Sequence, residues 1–288
     1  MWRDYLFASS VGEALELLGR HQGQARLIAG GTDLVLQCQR GESPAQVLVD
    51  VTGIPGVQRI EEEDGFVTLG PCVTHSRAAS SGLLQRKGRL LADACRIIGG
   101  PQIRNVGTLA GNLVTALPAA DAALALVALD GDAQVTSTEG QRWLPLSEFH
   151  TGVGLCRVDP GVEMITALRF RPLGPEYRSA HERLAQRKLH ALPILNVGVI
   201  AAVREGRFAD VRIAIAPVAP KPLRVRESEA LLEGQEPRPE AIREAAELAA
   251  SLCRPRDSLL RGSAEYRRSL VAVMVRRALE RVAAAMAD

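Results

Sequence analysis

The spacing of apolar residues predicts a strand–helix–strand unit near the start of the chain. Apolar positions recur at helical spacing over 11–21, and a serine directly before them predicts an N-terminal cap. The run ARLIAGG, at 25–31, predicts a short strand that ends in two glycines. A helix over about 32–41 and the strand QVLVDV, at 46–51, complete the predicted unit.

The middle of the chain combines two hairpins with several helices. Alternating residues around the turns at 64–65 and 139–140 predict two β-hairpins. Helical patterns cover 75–85 after Thr74, 88–98 and 122–129. Glycine and proline recur over 99–121, which predicts a long irregular segment. Loops of that length inside a compact domain usually have a function.

The last third of the chain has a different pattern. Apolar runs at 193–203 and 210–219 predict two strands of a new sheet. Amphipathic patterns at about 239–252 and 264–286 predict two helices after them. This order predicts a separate sheet-and-helix unit at the C-terminal end.

The length of 288 residues is sufficient for two or three domains. The linker RPLGPEYR, at 171–178, contains two prolines and separates the two patterns. We therefore predict one domain over 1–175, divided into subdomains of about 1–54 and 55–175. The second predicted domain covers 176–288.

Composition and charge exclude several classes of function. The net charge of +2, without a basic stripe interleaved with aromatic residues, argues against nucleic-acid binding. The five cysteines are far apart and form no C-x-x-C pair, which argues against disulfides or an iron–sulfur site in this chain. We interpret them as small buried residues in a reducing compartment. The chain shows no signal peptide and no apolar run long enough for a membrane span, so we expect a cytoplasmic protein.

Catalytic side chains are not evident in the sequence. No nucleophile stands in a recognisable pairing with a base. The histidines show no metal-ligand spacing, and the sequence assigns no role to His21, His75, His150 or His190.

The first glycine pair carries candidate chemistry. Gly30 and Gly31 stand where a strand meets a helix, an arrangement that can bind phosphate through backbone amides without a lysine. A tight turn with positive φ, with Thr32 or Asp33 capping the helix, explains the same residues.

A second glycine segment strengthens the first interpretation. Gly107, Thr108, Ala110, Gly111 and Asn112 lie close together in the irregular segment, with hydrogen-bond donors and no bulky side chain. Two such segments can hold the two sides of a pyrophosphate. Neither matches the dinucleotide motif G-x-G-x-x-G or the ATP-binding loop with its lysine.

These motifs resemble a known family. IAGGTDL, followed about 80 residues later by GTLAGNLVTALPAAD, is similar to the FAD-binding subunit of the molybdenum hydroxylases. This is the xanthine dehydrogenase, carbon monoxide dehydrogenase and 4-hydroxybenzoyl-CoA reductase family. VTHSRAA, TGVGLCRVDPGVEMITALRF and GSAEYRRSLVAVMVRRALERV also look like family segments, in the same order.

The resemblance implies a set of FAD-binding residues on both glycine segments. Those expected along the pyrophosphate are Ile28, Ala29, Gly30, Gly31, Thr32, Asp33 and Leu34. Those expected to meet it from the other side are Thr108, Ala110, Gly111 and Asn112.

Five further positions follow from the same resemblance. Asp121 matches an aspartate that contacts FAD, although it could equally cap the following helix. Ile165 matches an apolar flavin contact, although a core role is the default for such a strand residue. Ile98 stands where some members have an aromatic residue beside the flavin ring. Arg183 replaces a lysine that is common in the family. His181 occupies a usually aromatic position, as a packing substitute or an exposed histidine.

The resemblance also implies a fold and a function. The fold is α+β, with a two-subdomain FAD-binding domain of the vanillyl-alcohol-oxidase/PCMH type and a smaller C-terminal sheet-and-helix domain. The chain would be an electron-transfer subunit that binds FAD and passes electrons between [2Fe–2S] clusters of a small partner subunit and an acceptor such as NAD. A large partner subunit would bind molybdopterin, and the complex would be a dimer of such heterotrimers.

Two alternatives remain open at this point. A self-sufficient FAD-dependent oxidoreductase of the same flavin fold would hold its own substrate pocket in the C-terminal domain. A scaffold subunit without flavin would only hold the other subunits together.

Overall fold

A computed structural model describes residues 2–187, 191–259 and 261–287, and its helices and strands confirm the predicted α+β class. His190 lies outside these described residues. Residues 4–50 form a three-stranded parallel sheet in the order β1-β3-β2. Its elements are β1 (Asp4–Phe7), α1 (Val11–Arg20), β2 (Ala25–Ile28), α2 (Leu34–Gln39) and β3 (Val47–Asp50).

The sequence explains why this sheet is covered on both faces. β3 is buried along its whole length, as expected for a central parallel strand. Val47 and Val49 pack with the apolar side of α1, whereas Leu48 packs on the opposite side with Cys38 of α2. The predicted serine cap of α1 is confirmed: the hydroxyl of Ser10 accepts a hydrogen bond from the Glu13 amide at 3.1 Å.

A five-stranded antiparallel sheet follows, in the order β4-β5-β10-β6-β7. Both predicted hairpins are present in it, β4 with β5 and β6 with β7. The strands are β4 (Ile60–Glu63), β5 (Phe66–Leu69), β6 (Asp132–Ser137), β7 (Gly140–Pro145) and β10 (Met164–Phe170), with the small pair β8 (His150–Gly152) and β9 (Leu155–Cys156) before β10. The helices are α3 (His75–Ser80), α4 (Gly82–Lys87), α5 (Arg89–Arg96), α6 (Pro101–Val106), α7 (Leu109–Val114), α8 (Asp121–Ala128) and α9 (Leu146–Phe149).

Two predictions for this region are wrong. The helix predicted over 75–85 is two helices, because Ser81 is extended and its hydroxyl caps α4 by accepting from the Leu84 amide. The segment 99–121 is not irregular throughout, since it contains α6 and α7. Each of these short helices starts with a recognised signal, Pro101 in the first turn of α6 and Thr108 as the cap of α7.

The C-terminal part is a four-stranded antiparallel sheet, in the order β11-β12-β13-β14, with three helices. Its elements are β11 (Tyr177–Ala185), β12 (Pro193–Arg204), β13 (Arg207–Ala216), β14 (Leu223–Arg224), α10 (Arg226–Leu232), α11 (Pro239–Leu252) and α12 (Ala264–Ala287). The two predicted strands and the two predicted helices are confirmed, whereas β11, β14 and α10 were not predicted. In the described part of the chain, none of the helices has the length and apolar character that a membrane span needs.

The helix α8 joins the two parts of the molecule. All of its residues are buried, as its apolar sequence predicted. It packs against α5 and α7 on one side and against β12 and β13 of the C-terminal sheet on the other. At this contact Gly198 of β12 leaves room for Leu124, because a Cβ at position 198 would lie 2.8 Å from Leu124 Cδ2. The opposite face of the C-terminal sheet forms a second core with α10, α11 and α12.

Candidate functional site

A cavity of about 610 Å³ lies beside the carboxyl end of β2, where the parallel sheet meets α6 and α7. Most of the residues proposed from the sequence line this cavity. They are Ile28, Ala29, Gly30, Gly31, Thr32, Asp33, Leu34, Ile98, Thr108, Ala110, Gly111, Asn112 and Ile165. The structure therefore brings the two glycine segments, defined as 28–34 and 107–112, into one site.

The two segments touch at Gly30. A Cβ built on Gly30 would lie 2.0 Å from the carbonyl oxygen of Val106 and 2.9 Å from the amide nitrogen of Gly107. Both neighbours are backbone atoms, which cannot turn away as a side chain can. A residue without a side chain is therefore required at position 30 for this approach.

Segment 28–34 leaves its backbone amides available for a ligand. Gly31 adopts φ +66°, in the left-handed region, and starts the turn into α2. Among the described residues, no acceptor receives a hydrogen bond from the amides of Gly30, Gly31, Thr32, Asp33 or Leu34. Unpaired amides beside a cavity are suited to bind an anion. Asp33 does not cap α2 through its side chain, whereas the positive φ of Gly31 agrees with the alternative of a tight turn.

Segment 107–112 is held in place by its own contacts. The hydroxyl of Thr108 accepts from the Gly111 amide at 3.1 Å and caps α7. The Leu109 amide donates to the Val73 carbonyl at 2.9 Å, and Asn112 Oδ1 accepts from the Ala123 amide of α8 at 3.2 Å. A Cβ on Gly111 would have only Thr108 Oγ1, at 3.0 Å, within 4 Å. The remaining space beside Gly111 is open, and Gly111 borders the cavity.

Asp121 and Arg183 lie together, but they do not line this cavity. Asp121 is the first residue of α8, and its Oδ1 accepts from Arg183 Nε at 3.1 Å and from Asn196 Nδ2 at 2.7 Å. Asn196 is fully buried, and the side chains of Asp121 and Arg183 are 6% and 11% exposed. The ion pair therefore connects α8 to the C-terminal sheet, and Asp121 makes no side-chain cap of α8.

His181 lies on the same strand as Arg183 and is partly exposed, although its Nε2 is enclosed without a partner among the described residues. Burial lowers the pKa of His181, so the ring is neutral near pH 7. The structure thus places it as a packed residue that is partly exposed.

The cavity also has walls that the sequence did not predict. Val114, Leu155 and Met164 extend its apolar surface beyond Ile98 and Ile165. His75 lines it from the start of α3, although it is only 3% exposed. Its position next to the Thr74 cap gave no sign of this, since a buried histidine and a surface histidine look alike in the sequence.

The five cysteines form no disulfide with one another. All five are free thiols, and Cys38, Cys72, Cys95 and Cys253 are buried, which confirms the interpretation of these four as small buried residues. Cys156 is partly exposed at the cavity wall. Burial raises its pKa, so the thiol stays protonated near pH 7.

Known proteins match nearly the whole chain. Residues 2–171 match the family model described as FAD binding domain in molybdopterin dehydrogenase, and residues 180–282 match the one described as CO dehydrogenase flavoprotein C-terminal domain.

The chain is 33% identical over 278 residues to the nicotine 6-hydroxylase medium subunit of Paenarthrobacter nicotinovorans, covering 96% of this chain and 95% of the relative. It is 30% identical over 285 residues to the xanthine dehydrogenase FAD-binding subunit of Escherichia coli O157:H7, covering 98% and 96%. Among solved structures, carbon monoxide dehydrogenase from Hydrogenophaga pseudoflava lacking the Mo-pyranopterin moiety matches with a TM-score of 0.93 at 30% identity, over 99% of this chain and 98% of that one.

Proposed function

This chain belongs to the family of FAD-binding subunits of molybdopterin dehydrogenases, and we propose that it holds FAD between its two glycine segments and passes electrons to or from an acceptor such as NAD. The observation that carries this proposal is the contact of Gly30 with the backbone of 106–107 beside a row of unpaired amides.

The residues present fit the cofactor. The cavity volume lies in the range of roughly 300–1,000 Å³ that is typical of cofactor sites. The free amides of 30–34 offer hydrogen bonds to phosphate oxygens, and the missing side chain of Gly111 leaves room for a pyrophosphate on the opposite side. Ile98, Ile165 and Leu155 add apolar wall suited to an aromatic ring system.

We assign the other cofactors of the complex to partner subunits. When bound, FAD supplies the conversion between one-electron and two-electron transfer. The protein binds and orients it, and the described residues offer no group of His, Cys, Asp or Glu that could hold a metal. We assign the [2Fe–2S] clusters to a small partner subunit and molybdopterin to a large one, assembled as a cytoplasmic dimer of heterotrimers. The description of relatives as medium subunits supports separate partner chains.

We propose the same domain division that the sequence predicts. Residues 1–175 would form the flavin domain, with subdomains of about 1–54 and 55–175, and 176–288 would form the C-terminal domain. The ranges of the two family matches and the separate core of 180–282 support this division. Asp121 and Arg183 would contribute to the FAD site from the contact between the two domains, since their ion pair connects α8 with the C-terminal sheet.

Electron transfer can be tested without knowing the substrate. The complex is purified through a tag on this chain from its natural host, and NADH is added under anaerobic conditions. We expect NADH to bleach the visible absorption of the [2Fe–2S] clusters in the complex that contains FAD, and to leave the clusters oxidised after FAD has been removed. Matched samples with FAD restored serve as the control.

The outcomes separate the alternatives. Oxidised clusters in the FAD-containing complex would contradict NAD as the acceptor, and cluster reduction without FAD would contradict the route through the flavin. Purification without any partner, with turnover of a substrate by the chain alone, would favour a self-sufficient flavoenzyme. A complex that assembles fully and never contains flavin would favour the scaffold.

A further inference from the structure

The imidazole of His75 lies directly beside the second glycine segment. A Cβ on Gly107 would lie 3.3 Å from Cδ2 and 3.7 Å from Nε2 of this ring. A side chain at Gly107 would therefore press against that edge of the ring. Gly107 is also the residue whose amide nitrogen faces Gly30, so His75 lies next to the point where the two segments touch. Both His75 and Gly107 line the cavity.

One nitrogen of the ring has a protein partner and the other does not. Nδ1 lies 3.7 Å from the sulfur of Cys95 on α5. Nε2 makes no hydrogen bond to any described residue. It is not one of the enclosed unpaired side-chain atoms of the described chain, which are His181 Nε2, Asn196 Oδ1 and Arg267 Nε. Nε2 is therefore not fully enclosed, and it belongs to a side chain that lines the cavity.

The protonation of both partners leaves a neutral ring beside a protonated thiol, so one of the two ring nitrogens carries the hydrogen. Burial, with the nearby Arg104 guanidinium, lowers the pKa of His75 to about 4, so the ring is neutral at pH 7. Burial raises the pKa of Cys95 well above its usual range, so its thiol is protonated. Among the described residues the thiol has no acceptor other than Nδ1. When S–H donates to Nδ1, the hydrogen of the neutral ring must be on Nε2.

We propose that His75 binds FAD by donating a hydrogen bond from Nε2–H to a phosphate oxygen where the two glycine segments meet, and that Cys95 is a positioning residue that holds the ring in the tautomer that donates. This inference rests on the proposed binding of FAD in the cavity. A neutral donor suits the site, because it binds an anion without a charge that would have to be buried when the site is empty.

The binding test uses two flavins on the full-length chain freed of cofactor. Quenching of flavin fluorescence measures the dissociation constants of FAD and of riboflavin, which has no phosphate. His75→Phe removes the donor and should weaken FAD binding by about tenfold or more, the loss expected for a hydrogen bond to a charged group. Riboflavin binding should change by less than about twofold, because the ring contacts remain. His75→Gln carries an amide donor at a similar reach and should retain most of the FAD affinity.

A second measurement examines the tautomer in the unaltered protein. ¹⁵N NMR of the histidine side chains should show His75 with a hydrogen on Nε2 and none on Nδ1 at pH 7. Cys95→Ala should move population toward the other tautomer and weaken FAD binding less than His75→Phe does. Thermal unfolding of each variant shows whether it is folded at the temperature of the assay.

These experiments can contradict the inference without contradicting the proposed function. Equal FAD affinity of the wild-type protein and a folded His75→Phe would overturn the inference and leave FAD binding intact. A hydrogen on Nδ1 in the wild-type protein would overturn it as well. An equal loss of riboflavin and FAD affinity would show that His75 only supports the fold of the site. No FAD binding by the wild-type chain would contradict both the inference and the proposed site.

Discussion

Replacing Gly30 by alanine tests the contact between the two glycine segments. The added Cβ would lie 2.0 Å from the Val106 carbonyl oxygen, whereas real Cβ contacts essentially never fall below 3.0 Å. The segments would therefore have to separate by about 1 Å. Because both neighbours are backbone atoms, the whole loop between α6 and α7 must move.

The magnitude follows from packing and from the hydrogen bonds to phosphate. Forcing one extra carbon into a packed site costs about 1–3 kcal/mol of unfolding free energy. For a domain of about 150–250 residues, this loss of stability corresponds to a decrease in Tm of about 2–12 °C. A shift of about 1 Å would also lengthen the hydrogen bonds of the 30–34 amides to phosphate, and the loss of one such bond weakens FAD binding about tenfold or more.

The assay combines thermal unfolding by circular dichroism with titration of FAD into the cofactor-free protein. Gly19→Ala is the matched control, because Gly19 lies in α1 and a Cβ there meets nothing within 4 Å. This control should be neutral or should stabilise the protein by up to about 1 kcal/mol. Unchanged Tm and unchanged FAD affinity in Gly30→Ala would refute the argument from close backbone approach.

Three further predictions address the second segment, the buried ion pair and the buried histidine. Gly111→Val should abolish FAD binding by placing methyl groups in the pyrophosphate space while the C-terminal domain stays folded; normal flavin content in the folded variant would contradict this. Asp121→Ala should reduce the free energy of unfolding by about 3–5 kcal/mol, measured by urea denaturation, since it leaves the Arg183 guanidinium buried without its carboxylate. The pKa of His75 is about 4 in the folded protein and its ordinary value is 6.5, so its contribution to stability is complete above pH 6.5 and lost as the pH falls toward 4. Between pH 7 and pH 5 the wild-type protein should lose about 2 kcal/mol more stability than His75→Gln, and equal losses would contradict the lowered pKa.

Elements with a clear period or a standard turn could be predicted from the sequence. α1, α11 and α12 follow from their apolar spacing, α8 follows from its continuous apolar run, and both hairpins follow from their turns. The short helices α6 and α7 were missed because glycine and proline recur in the segment, and tertiary packing of Leu109 and Leu113 stabilises α7. β11 was missed because only one of its residues is fully buried, so the strand has no strong apolar alternation.

The candidate site was partly predictable from the sequence, because part of it consists of local motifs. The glycine segments are local motifs, and most of their residues do line one cavity. The contacts of Asp121 with Arg183 and Asn196 depend on how α8 packs on the C-terminal sheet, which no local pattern encodes. The pairing of His75 with Cys95 likewise depends on the packing of α3 against α5.

The most direct test of the central claim is a visible absorption spectrum of the chain purified alone, before and after incubation with FAD, with the released chromophore identified by chromatography. We predict flavin bands and release of FAD, in a ratio near one FAD per chain after incubation. A folded chain that carries no flavin and takes up none would contradict the assignment of the cavity between the two glycine segments as an FAD site.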